Sequence, residues 1–351
     1  MIKIKNALSL FDGISCGRVA LERAEIEYEK YYASEIDKFP IKVAQKNFPD
    51  TIQLGDVKNW REWDIKNIDL IIGGSPCQGF SFAGKQLNFD DPRSKLFFDF
   101  VDIVKHFKPK YFILENVVMK QEFQDIITEY MGVKPIMINS SLVSAQKRRR
   151  LYWTNIPNIC EPKDKGIVLK DIVQENVSSD FDLKGGWLRW WKEKKDFQIK
   201  KRYSAVNPDK AICMTARQYA NWNGTFIEYN PATIIGRRLN EFGKREDYNK
   251  DIKITQCLEV RGGEKMNCLT TVQKDTVISP MPKGRYKDAF NMQDSGIEEG
   301  VHWRKLTPIE CERLQTLPDN YTEGVSNSQR YKALANGWTV DVIVHIMSFM
   351  E

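Results

Sequence analysis

The stretch Leu8-Ser9-Leu10-Phe11-Asp12-Gly13-Ile14-Ser15-Cys16-Gly17 decides the fold. Its apolar start reads as a first strand, and two glycines fall where that strand turns into a first helix. Such a turn lets backbone approach a ligand closely and aims the helix N-terminal amides at it. Downstream, a second strand ends at Ser34-Glu35, about 20 residues on, where an α/β nucleotide site places an acid to bind ribose hydroxyls. A third ends in Gly55-Asp56-Val57, offering another acid to an adenine amino group. No GxxxxGK[ST] follows the first strand, and the glycine spacing departs from GxGxxG. A nucleoside-type cofactor without pyrophosphate is therefore expected, rather than a triphosphate or a dinucleotide.

The same alternation continues outward. Candidate strands are Ala7–Phe11, Tyr31–Ser34, Thr51–Leu54, Ile68–Ile72, Tyr111–Leu114, Pro135–Ile138 and Leu151–Asn155, with helical patterns between them. The clearest helix is Ser94–Phe107, where Leu96, Phe97, Phe100, Val101 and Val104 recur at helical spacing. Strand and helix in alternation predict a doubly wound, largely parallel α/β sheet. From residue 158 to 302 the sequence is polar, Lys-rich and punctuated by glycine, which reads as a smaller domain of short strands and loops. Helical periodicity returns in Pro308–Thr316 and Val340–Met350, so residues 303–351 are expected to rejoin residues 1–157 and make the smaller domain an insertion.

The fourth strand runs into Gly73-Gly74-Ser75-Pro76-Cys77-Gln78, placing a thiol at the carboxyl edge where α/β sheets hold ligands. A free cysteine is commonly a small buried hydrophobe, but flanking glycine and proline suit an exposed rigid turn better than a packed core. The fifth strand ends in Glu115-Asn116-Val117, bringing a carboxylate to the same edge. A thiol beside a carboxylic acid permits covalent attack coupled to substrate protonation. Gln146-Lys147-Arg148-Arg149-Arg150 precedes Leu151-Tyr152-Trp153. A plain charge run is one reading; the other is two guanidinium forks at alternate positions on the active-site face, where Lys would substitute poorly.

Composition narrows the classes. The 351 residues are 42% hydrophobic and 28% charged, enough for a sizeable core. No apolar run approaches a membrane span and no secretory leader is apparent, so a protein of the cytoplasm, or of the nucleus in a host that has one, is expected. Seven cysteines are scattered without CxxC pairs and the three histidines lie far apart, which argues against a disulfide framework and a metal centre. The net charge of +6 is modest, but Lys184–Arg202 carries eight basic residues against two acidic ones, with Trp187, Trp190 and Trp191 among them. A solvated basic face or a polyanion-binding surface fits that cluster.

Pro76-Cys77-Gln78, Glu115-Asn116-Val117 and Gln146-x-Arg148-x-Arg150, in this order, resemble the catalytic motifs of the cytosine-C5 DNA methyltransferases. The Phe11-to-Gly17 turn, Glu35-Ile36 and Gly55-Asp56-Val57 resemble that family's cofactor motifs. So do Arg304-Lys305-Leu306-Thr307-Pro308, Glu310, Arg313-Leu314-Gln315 and Ala335-Asn336-Gly337-Trp338-Thr339-Val340 near the C-terminus. The wording LFDGISCG and the final Trp look closest to the Dnmt3-like and phage branches. The resemblance implies a Rossmann-like sheet that binds S-adenosylmethionine and no metal. Phe11, Asp12, Gly13, Ile14, Ser15, Gly17, Glu35, Ile36, Asp56, Val57, Pro76, Leu96, Asn336 and Trp338 would form the cofactor site. Phe11 would pack on adenine, Glu35 hold ribose and Asp56 the adenine amino group. Two departures are a GxxxG spacing for the commoner GxG and Trp338 for a smaller residue.

The resemblance also implies a mechanism. Cys77 would attack C6 of a cytosine flipped from duplex DNA, Glu115 would bond or protonate N3, and Arg148 would support O2, with Gln78, Asn116 and Arg150 beside them. The Gly79–Ser94 segment has the composition of a closing lid, and its Ser81, Lys85 and Arg93 are candidate DNA contacts. Residues 158–302 sit where the family carries its target-recognition domain; Arg217, Arg237, Arg238, Arg261 and Thr270 are candidates for DNA contact there. Leu269-Thr270 resembles a recognition element of that domain, and Met214-Thr215 is a second candidate. A monomer acting on double-stranded DNA is expected, with or without a cognate restriction enzyme. The rivals are tRNA cytosine methylation and a silent DNA-binding homologue. The first wants a Cys-Phe-Thr signature this chain lacks; the second predicts a lost nucleophile, yet Cys77 is present.

Overall fold

The computed structural model describes residues 2–75, 95–175, 177–181, 204–216, 224–238, 249, 251, 254–260, 276–280 and 302–351. Contacts divide the chain into two compact units, Met1–Ile172 with Lys210–Tyr219 and Pro308–Glu351, and Val173–Asp209 with Ala220–Thr307. Against the sequence boundaries at 157/158 and 302/303, residues 158–172 and Lys210–Tyr219 fall in the first unit and residues 303–307 in the second.

The first unit is built on β1 (Asn6–Leu10), β2 (Lys30–Ser34), β3 (Ile52–Gln53), β4 (Ile68–Gly73), β5 (Tyr111–Val117), β6 (Ile136–Asn139) and β7 (Arg149–Thr154), in the spatial order β3-β2-β1-β4-β5-β7-β6. Only β7 runs against the rest, pairing antiparallel with β5 and β6. The order winds outward in both directions from β1 and β4. Right-handed crossovers then put α1 (Cys16–Arg23) and α2 (Lys38–Asn47) on one face and α3 (Lys95–Phe107) on the other. Phe97, Phe100 and Ile103 of α3 pack with Leu8, Leu10, Ile71 and Leu114 in one buried cluster. The α/β sheet expected from the alternating pattern is therefore present, and its ligand crevice belongs at the carboxyl ends of β1 and β4.

Several element limits differ from the sequence reading. The third strand is two residues long, Ile52–Gln53. β5 continues to Val117 and β7 starts at Arg149, because the ladder between them runs on to the pair Val117↔Arg150. Beyond α4 (Gln121–Met131), the C-terminal part adds α5 (Pro308–Leu314), α6 (Asn327–Asn336) and α7 (Val340–Met347). Sequence periodicity signalled α5 and α7 but not α6. No helix among the described residues is long and apolar enough to cross a membrane.

The second unit is organised on one long strand flanked by four short ones among the described residues. β9 (Gly224–Arg238) spans 15 residues and pairs with β8 (Ser204–Val206), β10 (Ile254–Val260), β11 (Thr276–Pro280) and β12 (His302–Lys305). Gly224, Pro231 and Gly236 interrupt its apolar pattern, which is why the sequence reads there as loop.

Candidate active site

A cleft of about 480 Å³ opens at the carboxyl ends of β1, β2, β4 and β5, and every described residue lining it belongs to the first unit. Its cofactor end is a set of tight local turns. Phe11 leaves β1 with φ 57°, a left-handed conformation that a bulky side chain rarely adopts. Gly13 follows at φ 59°, and its amide donates to Glu35 Oε2 at 2.9 Å. Glu35 Oε1 accepts from the amides of Ile36 and Asp37 at 2.8 and 2.9 Å. Three charge-assisted bonds therefore fix this carboxylate at the end of β2. Asp56 caps the 3-10 turn Val57–Glu62 through Lys58 N at 3.0 Å. Ile36 beside Glu35 is 73% exposed on the rim of the cleft and presents an apolar face there.

Asp12 is turned inward. Its carboxylate accepts from Ser15 Oγ at 2.5 Å and Tyr31 OH at 2.8 Å, and burial pushes its pKa up to about 6 despite those bonds. Cys16, also lining the cleft, is pushed by burial up to about 12 and stays a neutral thiol.

The base end is assembled from distant segments. Glu115 on β5 pairs with Arg150 Nε at 2.9 Å, both side chains being largely buried. Gly74 sits against them: a Cβ there would stand 2.9 Å from Glu115 Oε2 and 3.1 Å from Trp338 Nε1. Only glycine lets the exit of β4 approach both groups. Arg148 is 4% exposed, and its Nη2 donates to the carbonyls of Ala335 and Gly337 at 3.1 and 2.9 Å. Asn116 Nδ2 donates to Ser75 Oγ at 3.2 Å, pinning the residue two positions before Cys77. Gln315 Nε2 donates to Leu334 O at 2.6 Å and to Gly337 O at 3.2 Å, which holds the loop that carries Trp338.

The structure thus brings together Phe11, Asp12, Gly13, Glu35, Ile36, Asp56, Val57, Leu96, Glu115, Asn116, Arg148, Arg150, Asn336 and Trp338. Three of the expected cofactor residues are not among those lining the cleft. Ile14 and Ser15 are buried, and Gly17 packs helix on sheet, since a Cβ there would meet Ile72 Cδ1 at 2.2 Å. Pro76, Cys77, Gln78, Ser81, Lys85, Arg93, Arg217, Arg261, Thr270 and the Lys184–Arg202 cluster lie outside the described residues. Arg237 and Arg238 end β9. Sequence reasoning missed Gln329 and Lys332 of α6, which line the cleft. The available signal was Ser326 as a helix start and Gly337 as its stop.

Acids at three adjacent strand ends, no phosphate loop, and glycine where backbone must close on the ligand suit a nucleoside cofactor, and S-adenosylmethionine fits this donor set. The fold and cleft together define a Rossmann-like methyltransferase. Residues 6–351 match the C-5 cytosine-specific DNA methylases, and the chain belongs to that family. It is 42% identical to the type II methyltransferase M.NlaIV of Neisseria lactamica, with 96% of each chain covered. It is 28% identical to the orphan methyltransferase M.SPRI of Bacillus phage SPR, covering 97% of this chain and 95% of the relative. Among solved structures, the Entamoeba histolytica methyltransferase EhMeth superposes with a TM-score of 0.64 at 17% identity, covering 99% of this chain and 97% of that one. Spodoptera frugiperda DNMT2 gives 0.61 at 21%, covering 98% and 99%. At such identities the superpositions speak for the fold alone.

Proposed function

We propose that this cytosine-C5 DNA methyltransferase works by covalent catalysis on a cytosine flipped out of duplex DNA. The observation that carries the reading is the Glu115–Arg150 pair facing the exit of β4, three residues before Cys77. In this reading the Cys77 thiolate adds to C6, forming a C–S bond as the C5–C6 π electrons shift to C4–C5 and the C4=N3 pair moves onto N3. Glu115 holds or donates the proton at N3 and so offsets the negative charge that builds as sulfur adds. Bound S-adenosylmethionine supplies the electrophilic methyl group to C5. A base then removes the C5 proton, and the returning electrons expel Cys77 as thiolate. Flipping costs a few kcal/mol of unstacking, which pocket contacts offset.

Glu35 takes the ribose hydroxyls and Asp56 the adenine amino group, with Phe11 and Ile36 as the apolar faces. Arg148, held in place by the carbonyls of Ala335 and Gly337, supports cytosine O2, with Arg150 beside it on Glu115. The second unit, with its β9 sheet, is the target-recognition domain, and the Lys184–Arg202 cluster makes sequence-blind phosphate contacts.

Incubation with tritiated S-adenosylmethionine and either duplex DNA or tRNA tests the substrate. Label enters DNA; label in tRNA alone overturns the assignment. Cys77→Ser abolishes turnover while retaining DNA binding, and surviving catalysis refutes the covalent route.

A further inference from the structure

The segment Lys210–Thr215 is strapped along the start of β7 by a run of bonds. Ala211 N donates to Ala145 O at 2.7 Å, Lys147 N to Ala211 O at 2.8 Å, and Met214 N to Gln146 Oε1 at 3.3 Å. Lys210 Nζ donates to Ser141 O at 2.6 Å. The strap lies in the same compact unit as the cleft and delivers Cys213 between two guanidinium groups. Cys213 Sγ accepts from Arg148 Nη1 at 3.5 Å and from Arg150 Nη2 at 3.9 Å.

These contacts close a continuous chain across the floor of the site. Gly337 O, on the loop carrying Trp338, holds Arg148; Arg148 meets Cys213; Cys213 meets Arg150; and Arg150 holds Glu115. Without an acceptor between them, two like charges this close repel, and each fork moves off its target. A sulfur is a weak acceptor while protonated, but a thiolate is a full counter-charge. We propose that Cys213 is a positioning residue of the base site, its sulfur the shared acceptor that holds Arg148 and Arg150 where one fixes the Trp338 loop and the other fixes Glu115.

Burial pushes the Cys213 thiol up, and Arg148 followed by Arg150 more than offsets it, leaving the thiol below the ordinary cysteine range. The charged and titratable groups around it are those two arginines, with Glu115 behind Arg150 and with Tyr152 and Cys16 within reach of Arg148's charge. Cys16 differs in its neighbours: it is buried beside the carboxylate of Asp12, whereas the half-buried Cys213 has two guanidinium groups on its sulfur.

The consequence for transfer rests on the proposed reaction; the ionisation does not. Alkylation of the wild-type enzyme by iodoacetamide across a pH series, read peptide by peptide in a mass spectrometer, gives the midpoint for Cys213 against the exposed Cys160 as internal reference. The Cys213 midpoint falls below that of Cys160; a midpoint at or above it overturns the proposal whether or not the enzyme methylates DNA. The kinetic arm compares Cys213→Ser, an isostere that stays neutral, with Cys213→Asp, which restores an anion. Serine lowers kcat tenfold or more while KM for S-adenosylmethionine stays within about twofold, and aspartate recovers part of the loss. Wild-type kcat in Cys213→Ser at every pH overturns the positioning role. An absence of DNA methylation in the wild type would instead strike the reaction reading and leave the alkylation result standing.

Discussion

The two ends of one cleft are built on different principles. At the cofactor end, acids at successive strand ends are fixed by amides a few residues away or across one βα unit, as Gly13, Ile36 and Asp37 fix Glu35. At the base end, charges from segments far apart in sequence fix one another: Glu115 with Arg150, and Arg148 with the carbonyls of Ala335 and Gly337. Their thiols follow suit. Cys16 has the turn's carboxylate for a neighbour and stays neutral, while Cys213 sits between arginines. Backbone clamps preorganise a site for a ligand whose nucleoside part takes no part in the bond changes. Paired charges instead hold opposing groups ready where charge moves during the reaction.

The sharpest way to break this contrast is at Glu115. Glu115→Gln keeps the shape but removes the acid, and transfer falls roughly a hundred- to ten-thousand-fold, the usual worth of a general acid–base group. Affinity for S-adenosylmethionine, measured by calorimetry, stays within about twofold. A parallel loss of cofactor binding would mean that the two ends are not separable. Glu35→Ala is the mirror experiment. Losing a charged hydrogen-bonding hub costs roughly 1.5–3 kcal/mol, or roughly 10- to 100-fold in Kd, with turnover at saturating cofactor preserved. A fall in saturated turnover equal to the loss of affinity would count against the division of labour.

The same contrast explains what the sequence made legible. The turn at Phe11–Gly17, the acid at Glu35 and the cap at Asp56 are local events with short-range signatures, so their places could be read directly. Cys77, Glu115 and the Arg148–Arg150 pair could be named from motif order, but their partners could not, because nothing in a linear pattern says that Arg148 reaches Gly337 across 189 residues. Gln329 and Lys332 escaped for another reason. α6 is weakly amphipathic, with buried Tyr331, Ala333, Leu334 and Ala335 bunched on its last turns, so no 3.6-residue pattern announced it. At Gly17 the structure shows a second reason for glycine, the close approach of Ile72, a contact between helix and sheet that a motif cannot distinguish from contact with a cofactor.

A smaller effect tests how much the cofactor turn costs the fold. Asp12 carries a carboxylate whose pKa is pushed up to about 6 by burial. The folded state therefore holds its proton more tightly than the unfolded chain, and stability is lost as pH rises through that value. The penalty is present above about pH 6 and absent below the ordinary carboxylate range. Asp12→Asn removes the charge at every pH, so its stability relative to wild type, followed by denaturant unfolding, is more favourable at pH 8 than at pH 4.5. The expected difference is on the order of 2 kcal/mol. A difference of the opposite sign would show that ionised Asp12 is stabilised by its Ser15 and Tyr31 bonds beyond what burial costs.

The smallest effect belongs to Lys332, the cleft-lining residue whose Nζ meets Asp37 Oδ2 at 2.8 Å at the cofactor end. By geometry this is a charged pair like those of the base end, yet Lys332 and Asp37 keep 46% and 30% of their side-chain surface exposed. Solvent screens such a pair, and its contribution is about 0–1 kcal/mol. Asp37 also accepts from Phe39 N at the start of α2, so it keeps its place when the lysine is gone. Lys332→Met therefore changes thermal stability little and S-adenosylmethionine affinity less than about fivefold, with the residual effect vanishing at high salt. A loss matching that of Glu35→Ala would mean that the cofactor end, too, is held by paired charges, and the contrast between the two ends would fail.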